Sequence, residues 1–428
     1  MLRVEPDDFS PPDGTQAGSK GAPPVPQASI VRDFAHPYWE LLRLLREASE
    51  IEHALLVQYL YAGLSLQPLY RDLQQKRAPV TNYLSNNATF IGIAVQEMQH
   101  LREVNQLIVA LGGKPNLMRQ DFPWEPEIYP FTFNLERLSR LSVAKYAYCE
   151  APKDQVDPDN PKLSPADRAF AASLIAEIEK DGCKCRPNHI GSLYRTVLEV
   201  LDELEANPPV SKASNWPVTN DFTYYKKKLS YILDEGEDDH FMFFKAVFLG
   251  SHAVFQERAP GVNVWALPSS DPQFPSRALP TNPSAFRRRE GEIPCEDARR
   301  VAWLSNLQYW IAAAFLNLHY RIDERDVVAP RSALAEVAVG HMGAILSLGE
   351  CLANQYTQGV PFEPLSMGYE FGHDRTSSFA ILDALIRESI ETTDALAVKG
   401  LLPQGYPAKS DHESLKEVAK WLAMVRTA

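Results

Sequence analysis

The sequence predicts an all-α chain, a four-helix bundle followed by an additional C-terminal helical region. Three observations predict it. Apolar residues recur at three and four residues over long stretches, the period of helices with one buried face. Period-two alternation is scarce, so strands are not expected. Two Glu-x-x-His steps, Glu97-Met-Gln-His100 and Glu237-Asp-Asp-His240, lie on such apolar stripes, where a three-residue step keeps both side chains on one face.

The elements follow in order. Residues 1–30 are rich in Pro, Gly, Ser and Asp and read as a disordered or loosely ordered arm. From Pro37, the recurrence of Leu41, Leu45, Ala48, Glu52, Leu55 and Tyr59 marks the first long helix. A second helix covers about 87–111 and ends at Gly112-Gly113 and Pro115, the glycine-then-proline stop of a C-cap. A third covers about 134–150 and halts at Pro152. After a short helix near 164–180, the fourth bundle helix starts near Asn188, and a fifth covers about 222–249. The bundle domain is thus 31–250. In 251–295, Pro260, Pro268, Pro272, Pro275, Pro280 and Pro283 forbid a long helix, and a connection of this length is expected to wrap a surface. Further helices are expected near 296–323, 331–357, 376–398 and 411–427. This region, 296–428, should pack on the bundle and close a substrate cavity whose mouth 251–295 crosses.

A net charge of −12 without a basic stripe argues against nucleic acid and anionic membrane as partners. Lys226-Lys227-Lys228 reads as a solvated helix face. No stretch approaches the roughly 18 uninterrupted apolar residues of a membrane span, and the N-terminus lacks the apolar core of a secretory signal. Cys149, Cys183, Cys185, Cys295 and Cys351 make an odd count in a long chain, which suits reduced thiols and a cytoplasmic location. Cys183-Lys-Cys185 lacks the spacing of a zinc finger and reads as a loop with free thiols.

The stripes themselves carry the chemistry. Glu52 interrupts the first, between Ala48 and Leu55. Glu50, two residues earlier, is expected to face solvent. Glu97 and His100 continue Phe90 and Ala94, and Glu237 and His240 continue Leu229 and Leu233. A carboxylate on a buried face is costly unless it is paired or holds a cation. Read singly, each is most simply a buried hydrogen-bonded polar residue. Together, the order Glu, Glu-x-x-His, Glu-x-x-His is the pattern of a dinuclear carboxylate site in a ferritin-like bundle, with carboxylates bridging two ions and imidazoles capping them. A sixth ligand is open between Glu150, on the face of Val143 and Tyr146, and His189. Glu52 precedes Glu97 by 45 residues (97 − 52), whereas 45 residues before Glu237 stands Ser192, a poor ligand. Glu199 and Glu203 look solvated. Tyr59 and Tyr194 lie near these ligands by helical spacing, as proton or electron relays or as core packing. His319 and His341 read as satisfied core histidines.

At these residues the chain resembles a known family. Glu52-His-Ala-Leu-Leu-Val-Gln-Tyr-Leu-Tyr-Ala62, Gln96-Glu-Met-Gln-His100 running on to Pro115, Glu150-Ala-Pro, Ile190-Gly-Ser192-Leu-Tyr194 and Asp234-Glu-Gly-Glu-Asp-Asp-His240 are similar to segments of the ferritin-like proteins grouped with iminophenyl-pyruvate dimer synthase, the violacein and rebeccamycin pathway enzymes. The likeness covers about 35–250 and is looser beyond 300. Where that family has Glu, this chain has Ser192, which leaves one metal position open to a further ligand. The resemblance implies a non-haem dinuclear metal oxidoreductase in specialised metabolism. The metal would be iron, two ions cycling between Fe2+ and Fe3+, with manganese the alternative. It would act with O2 or peroxide on a small amino-acid-derived molecule. Self-association into a homo-oligomer is left open. The rival readings are manganese-catalase-like peroxide removal and a non-enzymatic iron-binding or scaffold protein.

Overall fold

The computed structural model describes residues 30–75, 89–119, 134–182, 189–206, 222–322, 331–365, 368, 369, 372 and 374–425. The proposed N-terminal arm before residue 30 and the Cys183-Lys-Cys185 pair lie outside these residues. The described residues are helical, with only isolated bridges and no strand among them.

In chain order the helices are α1 (Pro37–Ser65), α2 (Arg71–Gln74), α3 (Phe90–Ala110), α4 (Arg140–Glu150), α5 (Pro165–Ile178), α6 (Ile190–Ala206), α7 (Phe222–Glu235) and α8 (Phe241–Phe248). A π-helical turn, Gly236–His240, joins the last two. Local chemistry sets several starts. Thr89 caps α3 by accepting from the Gly92 amide, and Ser139 and Ser142 form a reciprocal capping box at α4. Gly63 lets α1 and α3 approach, since a Cβ there would stand 2.8 Å from Phe90 Cβ.

The bundle differs from the expected one in its third member. α4 packs on α8 and α6 packs on α7 and α1, so two short helices together fill one position beside the α7–α8 hairpin arm. The insertion between them, with α5 packed on α4, interrupts that position next to Glu150. The other members are α1, α3 and α7–α8. Their shared core contains Leu45, Tyr59, Phe90, Tyr146, Tyr194 and Phe244. Aromatic edges pack there, with Tyr59 and Tyr146 centroids 4.8 Å apart.

Residues 251–295 hold a short helix, α9 (Ala253–Arg258), a 3-10 turn at Val264–Ala266 and further turns. They run along the end of α1 and the approach to α4. The Gln67 amide donates to the Pro275 carbonyl, Arg277 to Ser65, and Asn282 to Leu135. None of them lines the cavity between α1 and α3 and the C-terminal helices.

The C-terminal helices are α10 (Glu296–Arg321), α11 (Ser332–Cys351, continued by a π turn to Tyr356), α12 (Arg375–Val398) and α13 (Lys409–Val425). They share an inner core around Phe315, Phe379 and Trp421. A second core joins them to the bundle, with Val57, Tyr61, Leu64 and Leu101 packed among Val301, Trp310 and Leu348. Ser332–Tyr356 is long and apolar enough to cross a membrane by length and composition alone; it lies against α10.

This covering corrects the reading of Glu50. It is 1% exposed, because Arg46 Nε and Asn116 Nδ2 reach its carboxylate at 3.1 and 3.0 Å. α1 is buried nearly all round, so no face of it is left for solvent at that position.

Candidate metal centre

Four chain segments converge inside the bundle. α1 supplies Glu52, α3 supplies Glu97 and His100, the last residue of α4 is Glu150, and the π turn ends at His240. Glu97 stands at the middle. Its Oε2 lies 3.0 Å from His100 Nδ1, and its Oε1 lies 3.0 Å from His240 Nδ1. Glu52 Oε2 is 3.4 Å from the first imidazole, and Glu150 Oε2 is 3.6 Å from the second. The result is two triads that share Glu97: Glu52, Glu97 and His100, and Glu97, Glu150 and His240. The ligand atoms of each lie within 4.8 Å of one another, and all five residues are buried.

His100 Nδ1 and Glu97 Oε2 are hydrogen-bonded, but three other converging atoms are left over. Glu52 Oε2, Glu97 Oε1 and His240 Nδ1 are buried and make no hydrogen bond, although their distances would allow it. A buried polar atom left unpaired costs about 1–3 kcal/mol. Unit charges of like sign 4 Å apart repel by about 4 kcal/mol at an effective dielectric near 20. Three carboxylates around one point are therefore stable only where protons or cations relieve the repulsion among them. Gly236 keeps the space clear, since a Cβ there would stand 3.0 Å from Glu150 Oε2. The donor set of carboxylate oxygens and imidazole nitrogens fits iron or manganese.

The electrostatics agree. Burial, and then the charge of Glu97, push the Glu52 carboxyl up to about 7. Burial and Glu150 push Glu97 the same way, but the nearby His240 charge and the His100 hydrogen bond outweigh them and hold it below its usual range. Burial opposes charge on the two imidazoles. The hydrogen bonds its ring nitrogens make to the Glu235 and Glu97 carboxylates, with Glu52 close by, nonetheless raise His100 well above its usual range, and the charges of Glu97 and Glu150 raise His240 to about 10. The site favours positive charge at both positions.

Two buried tyrosines complete the terminal carboxylates. Tyr59 donates to Glu150 Oε1 at 2.5 Å, and Tyr194 donates to Glu52 Oε1. Burial first, and the adjacent carboxylates second, push both phenols well above their usual range, so both keep their protons. Each holds one carboxylate oxygen and leaves the other facing an imidazole.

Glu237 and His189 lie apart from this cluster. The π turn adds a residue to the helical circuit between α7 and α8, and Glu237 turns onto Arg195, 2.5 and 2.7 Å from its Nη2. Gly191 makes the room, because a Cβ there would collide with Glu237 Oε1. His189 stacks on Tyr148 with ring centroids 4.6 Å apart, and its Nδ1 lies 3.1 Å from the Tyr148 carbonyl oxygen. Burial pushes it down to about 4. Ser192 is half-buried at the start of α6, one residue beyond Gly191.

Sequence reasoning missed two residues. Glu235 Oε2 lies 2.8 Å from His100 Nε2, and Gln96 Oε1 lies 3.3 Å from His240 Nε2. Gln96 also donates to Glu235 Oε1 at 2.5 Å, so the outer nitrogens of both imidazoles are tied through one Glu–Gln link. The only signal was their position beside the Glu-x-x-His steps.

Residues 45–242 match the family described as Ferritin-like. The chain therefore carries a ferritin-like domain over that range, and its fold class is all-α and ferritin-like. No curated protein and no solved structure matches it. Within that domain lies the buried Glu/His cluster that could hold a metal, and ferritin-like folds commonly bind iron.

Proposed function

We propose that this protein is a dinuclear-metal oxidoreductase, with a pair of iron ions as the resident metal and manganese as the alternative. The observation that carries the reading is Glu97, whose two oxygens each stand 3.0 Å from a different imidazole. That is the placement of a carboxylate that bridges two cations. Glu52, Glu97 and His100 would hold one ion, and Glu97, Glu150 and His240 the other. When bound, such a pair supplies two-electron redox chemistry toward O2 or peroxide.

The chain's own residues define how this works. Tyr59 and Tyr194 hold protons at their phenolic oxygens and orient Glu150 and Glu52. Gln96 and Glu235 fix the two imidazole rings. Leu55, Ile190 and Ile232 exclude water from the ligand space. That space is about 10 Å³, room for one water-sized molecule. The ions themselves would occupy it, and an organic substrate would meet the site from its rim at Gly191 and Glu237. The likeness of the helix segments to iminophenyl-pyruvate dimer synthase-type proteins supports an amino-acid-derived substrate in specialised metabolism.

A second reading is manganese-catalase-like removal of peroxide, which the same carboxylate and imidazole donor set would serve without an organic substrate. Metal analysis after anaerobic reconstitution, followed by O2 uptake and peroxide turnover, separates the two. Uptake of O2 by the ferrous protein supports the first, and rapid O2 release from peroxide by the manganese protein supports the second. Fewer than about half an equivalent of either metal after reconstitution would sink both.

A further inference from the structure

We propose that the two metal positions are unequal, and that Glu235 makes the position of Glu52, Glu97 and His100 the tighter one, filled before that of Glu97, Glu150 and His240. This rests on the dinuclear reading above and adds an order of binding to it.

In most respects the two positions match. Each has one terminal carboxylate, one imidazole and an oxygen of Glu97. Each terminal carboxylate accepts from one buried tyrosine, Glu52 from Tyr194 and Glu150 from Tyr59. Both imidazoles present Nδ1 to the carboxylates of the site and turn Nε2 outward. The difference lies behind the rings. His100 Nε2 stands 2.8 Å from a carboxylate oxygen, Glu235 Oε2, whereas His240 Nε2 stands 3.3 Å from an amide oxygen, Gln96 Oε1. A hydrogen bond to an ionised acceptor is shorter and roughly twice as strong as one between neutral groups. An imidazole that donates its outer N–H to a carboxylate is the stronger metal ligand at its other nitrogen, and losing such a partner costs roughly 10–100-fold in metal affinity.

Glu235 is fixed in this role. Its other oxygen, Oε1, accepts from Gln96 Nε2 at 2.5 Å and from the Tyr231 hydroxyl at 3.1 Å, which leaves Oε2 for the ring. The same bond turns the Gln96 amide nitrogen toward Glu235 and its oxygen toward His240, so the two imidazoles cannot exchange partners. Glu235 ends α7, next to the π turn that finishes at His240, so one short stretch of chain carries both the partner of the first ring and the whole of the second.

Anaerobic calorimetric titration of the metal-free full chain with Fe2+ tests the proposal, because two variants isolate the positions. Glu150→Ala keeps the first position and Glu52→Ala keeps the second, and each deprives one buried tyrosine of its carboxylate, so the two losses correspond. Fe2+ should bind Glu150→Ala at least about tenfold more tightly than Glu52→Ala. Glu235→Gln gives His100 an amide partner like that of His240. It should weaken the tighter step of the native titration by about tenfold or more and leave the weaker step and the ion count in place. Should an alanine variant fail to fold, Glu235→Gln decides, and should Glu235→Gln fail, the alanine pair decides. A native chain that takes two ions, combined with equal or reversed affinities in the alanine pair, or with a Glu235→Gln titration whose steps are unchanged or weakened alike, would overturn the proposal and leave the dinuclear reading standing. A native chain that takes up no Fe2+ would overturn both.

Discussion

The protein buries two histidine–carboxylate networks, and they are built on opposite principles. In the C-terminal region, His341 Nδ1 lies 2.6 Å from Gln308 Oε1, and Nε2 lies 2.7 Å from Ser414 Oγ. Gln308 Nε2 donates to Ser389 and Asp411 at 2.8 and 3.0 Å, and Ser389 donates to the second Asp411 oxygen. Both nitrogens of this imidazole are partnered, and burial pushes it down to about 3, so it is neutral. His240 in the bundle is equally buried, yet its Nδ1 makes no hydrogen bond and the ring is pushed up to about 10. The first network ties α10, α11, α12 and α13 together. The second leaves donor atoms aimed at common points. The contrast lies in what converges: around His341 each group is tied to a neighbour, whereas around His240 and Glu97 unpartnered atoms of two carboxylates and an imidazole face one another.

That contrast can be broken by substitution. The largest effect is expected for Glu97→Ala, which removes the residue shared by both triads. Metal content should fall from about two ions per chain to below about half an ion. Glu150→Ala and Glu52→Ala each remove a ligand from one triad only, so each should leave about one ion per chain. If either lost both ions, the two triads would not be separate positions. His341→Ala should do the reverse. It strips Gln308 Oε1 of its imidazole partner and Ser414 of one of its two hydrogen bonds, leaves a cavity, and should cost about 2–4 kcal/mol of unfolding stability, with metal content unchanged.

The pH response gives a smaller effect. The folded protein holds His341 near 3, while the unfolded chain protonates it near 6.5. The unfolded state therefore binds the proton first as pH falls. The contribution is fully present above about 6.5 and is lost toward 3, by up to about 1.4 kcal/mol per pH unit. Asp411, raised by burial, works the other way at the acid end. Denaturant melts of the native chain and His341→Gln between pH 7 and 5 should show a shallower slope in the variant. The smallest effect is expected for Glu237→Gln. With Glu237 held by Arg195, the ion count should stay at about two, and metal titration that found the loss of an ion would place Glu237 in the site after all.

Much of this was legible in the sequence. Glu52, Glu97 and His100 lie on long regular helices, so the three- and four-residue period placed them on one face. Glu150 was reached from its own stripe. Three features were hidden, each for a physical reason. The π turn at Gly236–His240 breaks the 3.6-residue period, so His240 kept its face while Glu237 turned to Arg195. The division of one bundle position between α4 and α6 is a tertiary fact, since each half has ordinary helix signals of its own. Glu50 was misread because a one-face period cannot show that α1 is covered all round. Gln96 and Glu235 act only through the rings they touch, and nothing in spacing marks such a partner.

The central claim is that Glu97 joins two metal positions, and the most direct measurement is metal stoichiometry after anaerobic reconstitution of the native chain and Glu97→Ala side by side. The account predicts about two ions per chain for the first and almost none for the second. A native chain that takes up no metal, or a Glu97→Ala chain that binds as much as the native one, would contradict it.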